Sequence, residues 1–131
     1  MYALSRPKLM IIEDHHATLD AIRMIFEFEG YQVLGLSGAN DLQNKISSFQ
    51  PDVILIDILL GTTDGRIICS ELKHSVHAPI PILLMSSRNG IQNSNSYKPY
   101  WDAYIDKPFE METIIESVQK LLLKNTKSTN K

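Results

Sequence analysis

Five short apolar runs are spaced along the chain, and each predicts a β-strand. The third run, residues 52–57, has no polar alternation and is soon closed by Gly61, the pattern of a strand buried on both faces in the middle of a parallel sheet. The five predicted strands are residues 7–12, 31–36, 52–57, 82–85 and 103–106.

Between these runs, apolar residues recur every three or four positions, which is the period of an amphipathic helix. Gly30 and Pro51 are predicted to end the first two helices, and Ser37 or Asn40 to cap the second. Residues 88–100 are rich in Asn and Ser and predict a loop or a short irregular helix. The predicted helix faces are Leu19, Ile22, Ile25 and Phe26; Leu42, Ile46 and Phe49; Ile67, Ile68, Leu72 and Val76; and Met111, Ile114, Ile115, Val118, Leu121 and Leu122.

The alternation of strands and helices predicts an α/β domain, because parallel strands need crossovers that place helices on both faces of the sheet. We expect a doubly wound, five-stranded parallel sheet in which the fourth helix is weak or irregular. The domain is predicted to span residues 8–123, after a short lead at 1–7 and before a disordered polar tail at 124–131.

The composition of the chain argues against nucleic-acid binding and membrane association. The formal net charge of −2 argues against direct binding of nucleic acid through bulk charge. The chain lacks an apolar run of about 20 residues, the length that a membrane span needs, so no membrane association is expected. The single cysteine, Cys69, and the lack of a signal-peptide pattern before Pro7 predict a reducing, cytoplasmic location.

Polar side chains stand at the carboxyl ends of four predicted strands, and this is the edge where α/β folds bind ligands. Three neighbouring carboxylates repel one another unless a divalent cation or the Lys107 ammonium neutralises them, and Mg²⁺ suits such oxygen ligands. Taken singly, each residue also has a structural interpretation, as a helix cap, a strand-end hydroxyl or a solvated lysine. Together they favour a site. The residues are Glu13, Asp14, Asp57, Ser86 and Lys107.

Four motifs carry these residues in a fixed order along the chain. They are Ile11-Ile12-Glu13-Asp14, Ile54-Leu55-Ile56-Asp57 with Gly65 eight residues later, Leu84-Met85-Ser86-Ser87, and Tyr104-Ile105-Asp106-Lys107-Pro108-Phe109. As a set they resemble the receiver domain of two-component response regulators, and the resemblance covers about residues 8–123. It implies a flavodoxin-like fold with strand order 2-1-3-4-5.

The resemblance implies a role for each acid at the sheet edge. Asp57 would accept a phosphoryl group from a sensor histidine kinase or a phosphotransfer protein. Glu13, Asp14, Asp57 and the backbone carbonyl of Leu59 would hold Mg²⁺, directly or through water.

The resemblance also implies a switch. Ser86 and Lys107 would contact the phosphoryl oxygens, and the peptide bond before Pro108 is expected to be cis. Phosphorylation would draw the Ser86 hydroxyl inward and turn Tyr104 from exposed to buried, which would change the binding of an unidentified output partner or output domain.

Several alternatives stay open at this point. The chain is expected not to be an enzyme, apart from assisting its own phosphorylation and dephosphorylation. A phosphatase with an aspartate nucleophile typically needs a second acid two residues later, where this chain has Leu59. A degenerate receiver that binds partners without phosphorylation is the other main alternative. Gly61 departs from the proline usual in the family, and His15-His16 is interpreted as a loop or helix-start pair and not as a metal site.

Overall fold

The computed structural model describes residues 6–87 and 100–129. The predictions for residues 1–5, for 88–99 within the irregular segment and for 130–131 of the tail lie outside these ranges. The elements, in chain order, are β1 (Lys8–Ile12), α1 (His16–Phe28), β2 (Gln32–Leu36), α2 (Leu42–Phe49), β3 (Val53–Asp57), β4 (Leu59–Leu60), β5 (Thr63–Asp64), α3 (Gly65–Lys73), β6 (Ile82–Ser87), β7 (Ala103–Lys107) and α4 (Met111–Thr129).

Five of the strands form one parallel sheet in the order β2-β1-β3-β6-β7. For the five strands predicted from the sequence this is the order 2-1-3-4-5, so the predicted α/β architecture is confirmed. β4 and β5 pair separately as a small antiparallel hairpin. All five residues of β3 are buried, as expected for the central strand.

The sheet separates two apolar cores, because side chains of a strand alternate between its faces. In β3, Leu55 packs into the core beneath α1 and α4, whereas Ile54 and Ile56 pack into the core beneath α2 and α3. Residues from both helices complete each core, such as Phe26 on the first side and Leu72 on the second. Burial on both faces therefore explains why β3 lacks polar alternation.

The helix ends differ in part from the predictions. His15 caps α1, and its side chain accepts from the Thr18 N–H at 3.4 Å, in agreement with a helix-start role. Gly30 follows the end of α1 with φ of +95°, a conformation that favours glycine. The N-cap of α2 is Asp41 and not Ser37 or Asn40. Asp41 has a left-handed backbone conformation, with φ of +56°, and helical geometry begins only after it.

Three further predictions require correction. Val76 lies outside α3 and is 87% exposed, because the backbone bonds at His74 and Ser75 close the helix early. The Gly- and Asp-containing stretch at 61–65 predicts a loop, but it contains part of the β4–β5 hairpin and the first residue of α3. In place of the disordered tail predicted from residue 124, α4 continues to Thr129, since the stretch after Leu123 contains neither Gly nor Pro to end it.

No helix within residues 6–87 and 100–129 is both long and apolar enough to cross a lipid bilayer.

Candidate functional site

The parallel register brings the carboxyl ends of β1, β3, β6 and β7 to one edge of the sheet. Asp57 pairs with Met85, and Lys107 pairs with Ser87. The Glu13 N–H donates to the Leu36 carbonyl at 2.9 Å. The hydrogen bonding between β1 and β2 therefore continues to Glu13, the residue after β1. Residues that are far apart in the sequence therefore meet at this edge, as the sequence predicts.

Lys107 joins two of the predicted carboxylates. Its Nζ donates to Glu13 Oε1 at 2.8 Å and to Asp57 Oδ2 at 3.1 Å. The ammonium is mostly shielded from solvent, and both carboxylates are almost fully buried. The peptide bond between Lys107 and Pro108 is cis, as the resemblance implies. These contacts agree with the expectation that the Lys107 ammonium can neutralise the crowded carboxylates.

Burial and pairing shift the pKa values of Glu13 and Lys107. Burial raises the pKa of Glu13, and the Asp57 charge adds to this, while hydrogen bonds from Lys107 and from the His15 N–H at 3.1 Å partly offset it. Burial alone would lower the pKa of Lys107, but its hydrogen bonds to the two carboxylates raise it overall. Lys107 therefore remains charged, and its hydrogen bond partly offsets the cost of burying a charged Glu13 carboxylate.

Asp57 and Asp14 are held by backbone donors of the β4–β5 hairpin. The Leu59 N–H donates to Asp57 Oδ1 at 3.3 Å, and the Gly61 N–H donates to Asp14 Oδ2 at 2.8 Å. Asp57 is 5% exposed, whereas Asp14 lies open to solvent. Asp57 is thus recessed at the sheet edge, and the Asp14 carboxylate is accessible at the rim of the site.

The acidic group fits a divalent cation of the hard, oxygen-binding type. One ligand oxygen each from Glu13, Asp14 and Asp57 lies within 4.8 Å of the other two. Three carboxylates against the single ammonium of Lys107 leave an excess of two negative charges, which one divalent cation would neutralise. The donor set contains neither sulfur nor imidazole, a composition that suits Mg²⁺ better than a soft transition metal.

Ser86 and Tyr104 are not joined to this cluster in the described structure. Ser86 is fully buried, and its hydroxyl donates to the Ser87 carbonyl at 2.8 Å. Tyr104 is 50% exposed. Their switching roles, and the Leu59 carbonyl as a ligand, remain predictions.

Gly65 lies beside the site, and the sequence does not reveal why this position requires a glycine. A Cβ at this position would lie 2.2 Å from the Asp57 carbonyl oxygen, so α3 begins in backbone contact with the end of β3. The Gly65 N–H donates to the Ile58 carbonyl at 2.7 Å. The Asp-Gly pair at 64–65 indicates a turn in the sequence, but not this close approach.

A family model and two curated relatives indicate the same protein family. Residues 9–119 match the family model described as the response regulator receiver domain. The chain is 30% identical to the DNA-binding dual master transcriptional regulator RpaA of Synechocystis over 88% of this chain and 49% of that protein. It is also 30% identical to the sensory transduction protein BceR of Halalkalibacterium halodurans, again over 88% and 49%. The chain thus spans about half the length of the curated relatives it matches.

A solved structure supports the same conclusion. The receiver domain protein (CheY-like) from Methanospirillum hungatei is 25% identical, with a TM-score of 0.83 over 95% of this chain and 99% of that one. The resemblance predicted from the four sequence motifs is therefore confirmed.

Proposed function

The chain belongs to the response regulator receiver domain family, and we propose that Asp57 is its phosphoacceptor. The observation that supports this most directly is the position of Asp57, which is recessed at the end of β3 with the Lys107 ammonium 3.1 Å from Oδ2. The Lys107 ammonium orients the buried Asp57 carboxylate for attack on phosphorus and stabilises its negative charge before the phosphoryl donor binds.

The proposed reaction is an in-line phosphoryl transfer. An Asp57 carboxylate oxygen attacks the phosphorus of a phosphohistidine on a sensor histidine kinase or phosphotransfer protein. The new P–O bond forms as the P–N bond breaks, and its electron pair stays with the donor imidazole. Lys107 then faces the phosphoryl oxygens and balances part of their charge. In a separate hydrolytic step, water attacks the phosphorus, the P–O bond to Asp57 breaks and inorganic phosphate leaves, so that the chain assists its own dephosphorylation.

Glu13, Asp14, Asp57 and the Leu59 carbonyl are the proposed holders of Mg²⁺. When bound, the ion supplies charge neutralisation and orientation for the phosphoryl oxygens. Of these residues, Glu13 and Asp57 also accept hydrogen bonds from Lys107, while Asp14 is the solvent-exposed acid at the rim. In this proposal Glu13 and Asp57 are shared between Lys107 and the ion, and Asp14 contacts the ion alone.

Phosphorylation is proposed to change partner binding through Ser86 and Tyr104. The Ser86 hydroxyl now bonds to the Ser87 carbonyl, and rotation toward a phosphorylated Asp57 would break that bond. The half-exposed Tyr104 would follow it inward, altering the surface beside β7. The output partner or domain is unidentified. The proposal includes a cytoplasmic location, the type of compartment in which a lone cysteine such as Cys69 stays reduced.

Intact-protein mass measurement tests the acceptor assignment. The chain is incubated with acetyl phosphate, with and without Mg²⁺, alongside Asp57→Asn. We expect a phosphoryl adduct on the parent that requires Mg²⁺ and is lost in the variant. An adduct of equal yield on Asp57→Asn would overturn the assignment. If neither acetyl phosphate nor a phosphorylated histidine donor labels the parent, the phosphorylation-independent alternative replaces it.

A further inference from the structure

A groove lies beside β2 and α2. Its volume is about 370 Å³, within the roughly 300–1,000 Å³ of pockets that bind ligands. Two apolar side chains line it, those of Leu34 on β2 and Phe49 on α2. The polar residues that line it, all from α2 and its N-cap, are Asp41, Asn44, Lys45 and Ser48. The groove therefore shares no residue with the acidic site at the carboxyl ends of the strands.

β2 presents an open backbone edge next to this groove. Within residues 6–87 and 100–129, β2 pairs with β1 alone. The Gln32 N–H donates to the Pro7 carbonyl, and the Leu36 carbonyl accepts from the residue after β1, each at 2.9 Å. The backbone groups of alternate residues therefore point toward β1. Those of Val33 and Gly35 point the other way, and no described strand lies against them.

The sequence of β2 does not protect this edge. Edge strands usually carry a lysine, a proline or a bulge that prevents another strand from pairing. β2 spans Gln32–Leu36 and contains neither a charged residue nor a proline, and its last four residues are only half-buried. β2 thus has the composition of an edge strand that can accept another strand.

The open edge and the groove meet at Leu34. Its side chain packs against the core beneath α2 and α3, so it lies on the same side of the sheet as the groove. A strand added beside β2 would place every second side chain on this side, about 5 Å from its neighbours on β2. One of these side chains would enter the groove. Backbone hydrogen bonds and a pocket for alternate side chains are the two parts of recognition by strand addition.

The charges of the groove indicate which strand would fit it. The Asp41 carboxylate accepts a hydrogen bond from the Asn44 side chain at 2.8 Å, so it already has a partner. The half-buried Lys45 forms no ion pair within the described ranges 6–87 and 100–129, and its charge favours a carboxylate on the added strand. We propose that β2 and the groove bind an extended, acidic segment of a partner protein, with an apolar side chain in the groove and a carboxylate at Lys45. This binding does not depend on phosphorylation of Asp57.

Two variants separate the backbone edge from the groove. Val33→Pro removes one outward N–H and leaves the bonds between β2 and β1 intact, since proline is tolerated where the N–H of an edge strand faces away from the sheet. Lys45→Gln removes the ammonium and keeps an extended polar side chain. Lys120→Gln is the matched control, because it makes the same change of charge at an exposed position of α4, on the opposite face of the sheet.

A random twelve-residue peptide library displayed on phage is the first probe. It is selected on the unphosphorylated full chain after depletion on Val33→Pro. We expect enriched peptides to carry an apolar residue and an acid two positions apart, and to bind Val33→Pro about tenfold more weakly than the parent, the upper value for a lost hydrogen bond. Lys45→Gln should bind them about fivefold more weakly, the upper value for an ion pair near solvent. Lys120→Gln should stay within about twofold of the parent. No enrichment, or equal binding by the parent and Lys45→Gln, would overturn the proposal.

Amide exchange, followed by NMR, provides a test that needs no variant at position 33. With a selected peptide bound, the Val33 and Gly35 amide protons should exchange several-fold more slowly, whereas that of Leu34, which already faces β1, should change little. Unchanged exchange at Val33 and Gly35 would refute strand addition even if Val33→Pro failed to fold. A monomer–dimer equilibrium in sedimentation that Val33→Pro abolishes would assign the edge to a second copy of this chain and overturn the proposed partner.

Discussion

Replacing Gly65 with alanine tests the backbone contact between the end of β3 and the start of α3. The added Cβ would lie 2.2 Å from the Asp57 carbonyl oxygen and 3.0 Å from the Ile58 Cα. Both neighbours are backbone atoms of the segment that leaves β3, so no side chain can rotate away. Because Cβ contacts below 3.0 Å are essentially never seen, α3 and the end of β3 must separate by roughly 0.8 Å.

The expected cost follows from overpacking. Forcing a methyl group into a close-packed backbone contact costs about 3 kcal/mol, and the better helix propensity of alanine returns at most about 1 kcal/mol. The net loss of unfolding free energy is then about 2 kcal/mol. With a urea m-value of about 1.5 kcal/mol/M for a small domain, the unfolding midpoint should fall by about 1.3 M.

Urea unfolding followed by fluorescence provides the assay, because the single tryptophan, Trp101, packs partly buried against the core beneath α2 and α3. Gly38→Ala is the matched control, since a Cβ there meets nothing within 4 Å. Its midpoint should stay within about 0.3 M of the parent's, the change expected of a surface substitution. A Gly65→Ala midpoint equally close to the parent's would refute the close approach of α3 to Asp57.

Three further predictions concern charge and burial. Lys107→Ala should keep the fold but lose about 2 kcal/mol of stability at pH 7, because it leaves Glu13 buried without its partner. Burial raises the pKa of Glu13 above its ordinary 4.5, and loss of Lys107 removes a hydrogen bond that offsets this rise, so the deficit should shrink as the pH falls through the raised value and the carboxyl becomes protonated; a deficit independent of pH would contradict the pairing. Asp64→Ala should cost about 1 kcal/mol through loss of the α3 cap. The hydrogen bond from Arg66 lowers the pKa of Asp64, so its contribution is present above its ordinary pKa of 3.8 and lost as the pH falls through the lowered value; urea midpoints at pH 7 and pH 2.5 check this, and an equal deficit at both would refute it. Burial raises the pKa of the Cys69 thiol to about 12, so a thiol reagent at pH 8 should label it only in urea, and rapid labelling of the native chain would contradict its burial.

The sheet could be predicted because its strands are buried runs with a clear apolar pattern. β3 is the best example, since burial on both faces leaves no place for a polar residue between Val53 and Ile56. The β4–β5 hairpin could not be predicted in this way, because strands of two residues are too short to show any period. Val76 continues the apolar spacing of α3 but lies beyond its end, since spacing alone does not show where backbone bonds close a helix.

The site was predictable to the extent that it depends on strand ends. Asp57, Glu13 and Lys107 meet because parallel strands deliver their last residues to one edge. The backbone donors were not predictable, because the N–H of Gly61 reaches Asp14 across 47 positions of sequence and no residue type signals it. The clearance at Gly65 likewise depends on the three-dimensional approach of α3 to β3.

The central claim is that Asp57 receives the phosphoryl group, and locating the modified residue tests it most directly. The chain is phosphorylated with acetyl phosphate and Mg²⁺, reduced with borohydride, which converts an aspartyl phosphate to homoserine, and sequenced by tandem mass spectrometry. We expect homoserine at position 57 and unmodified carboxylates at Glu13 and Asp14. Homoserine at position 14, or a phosphoryl group that resists borohydride on another side chain, would contradict the account.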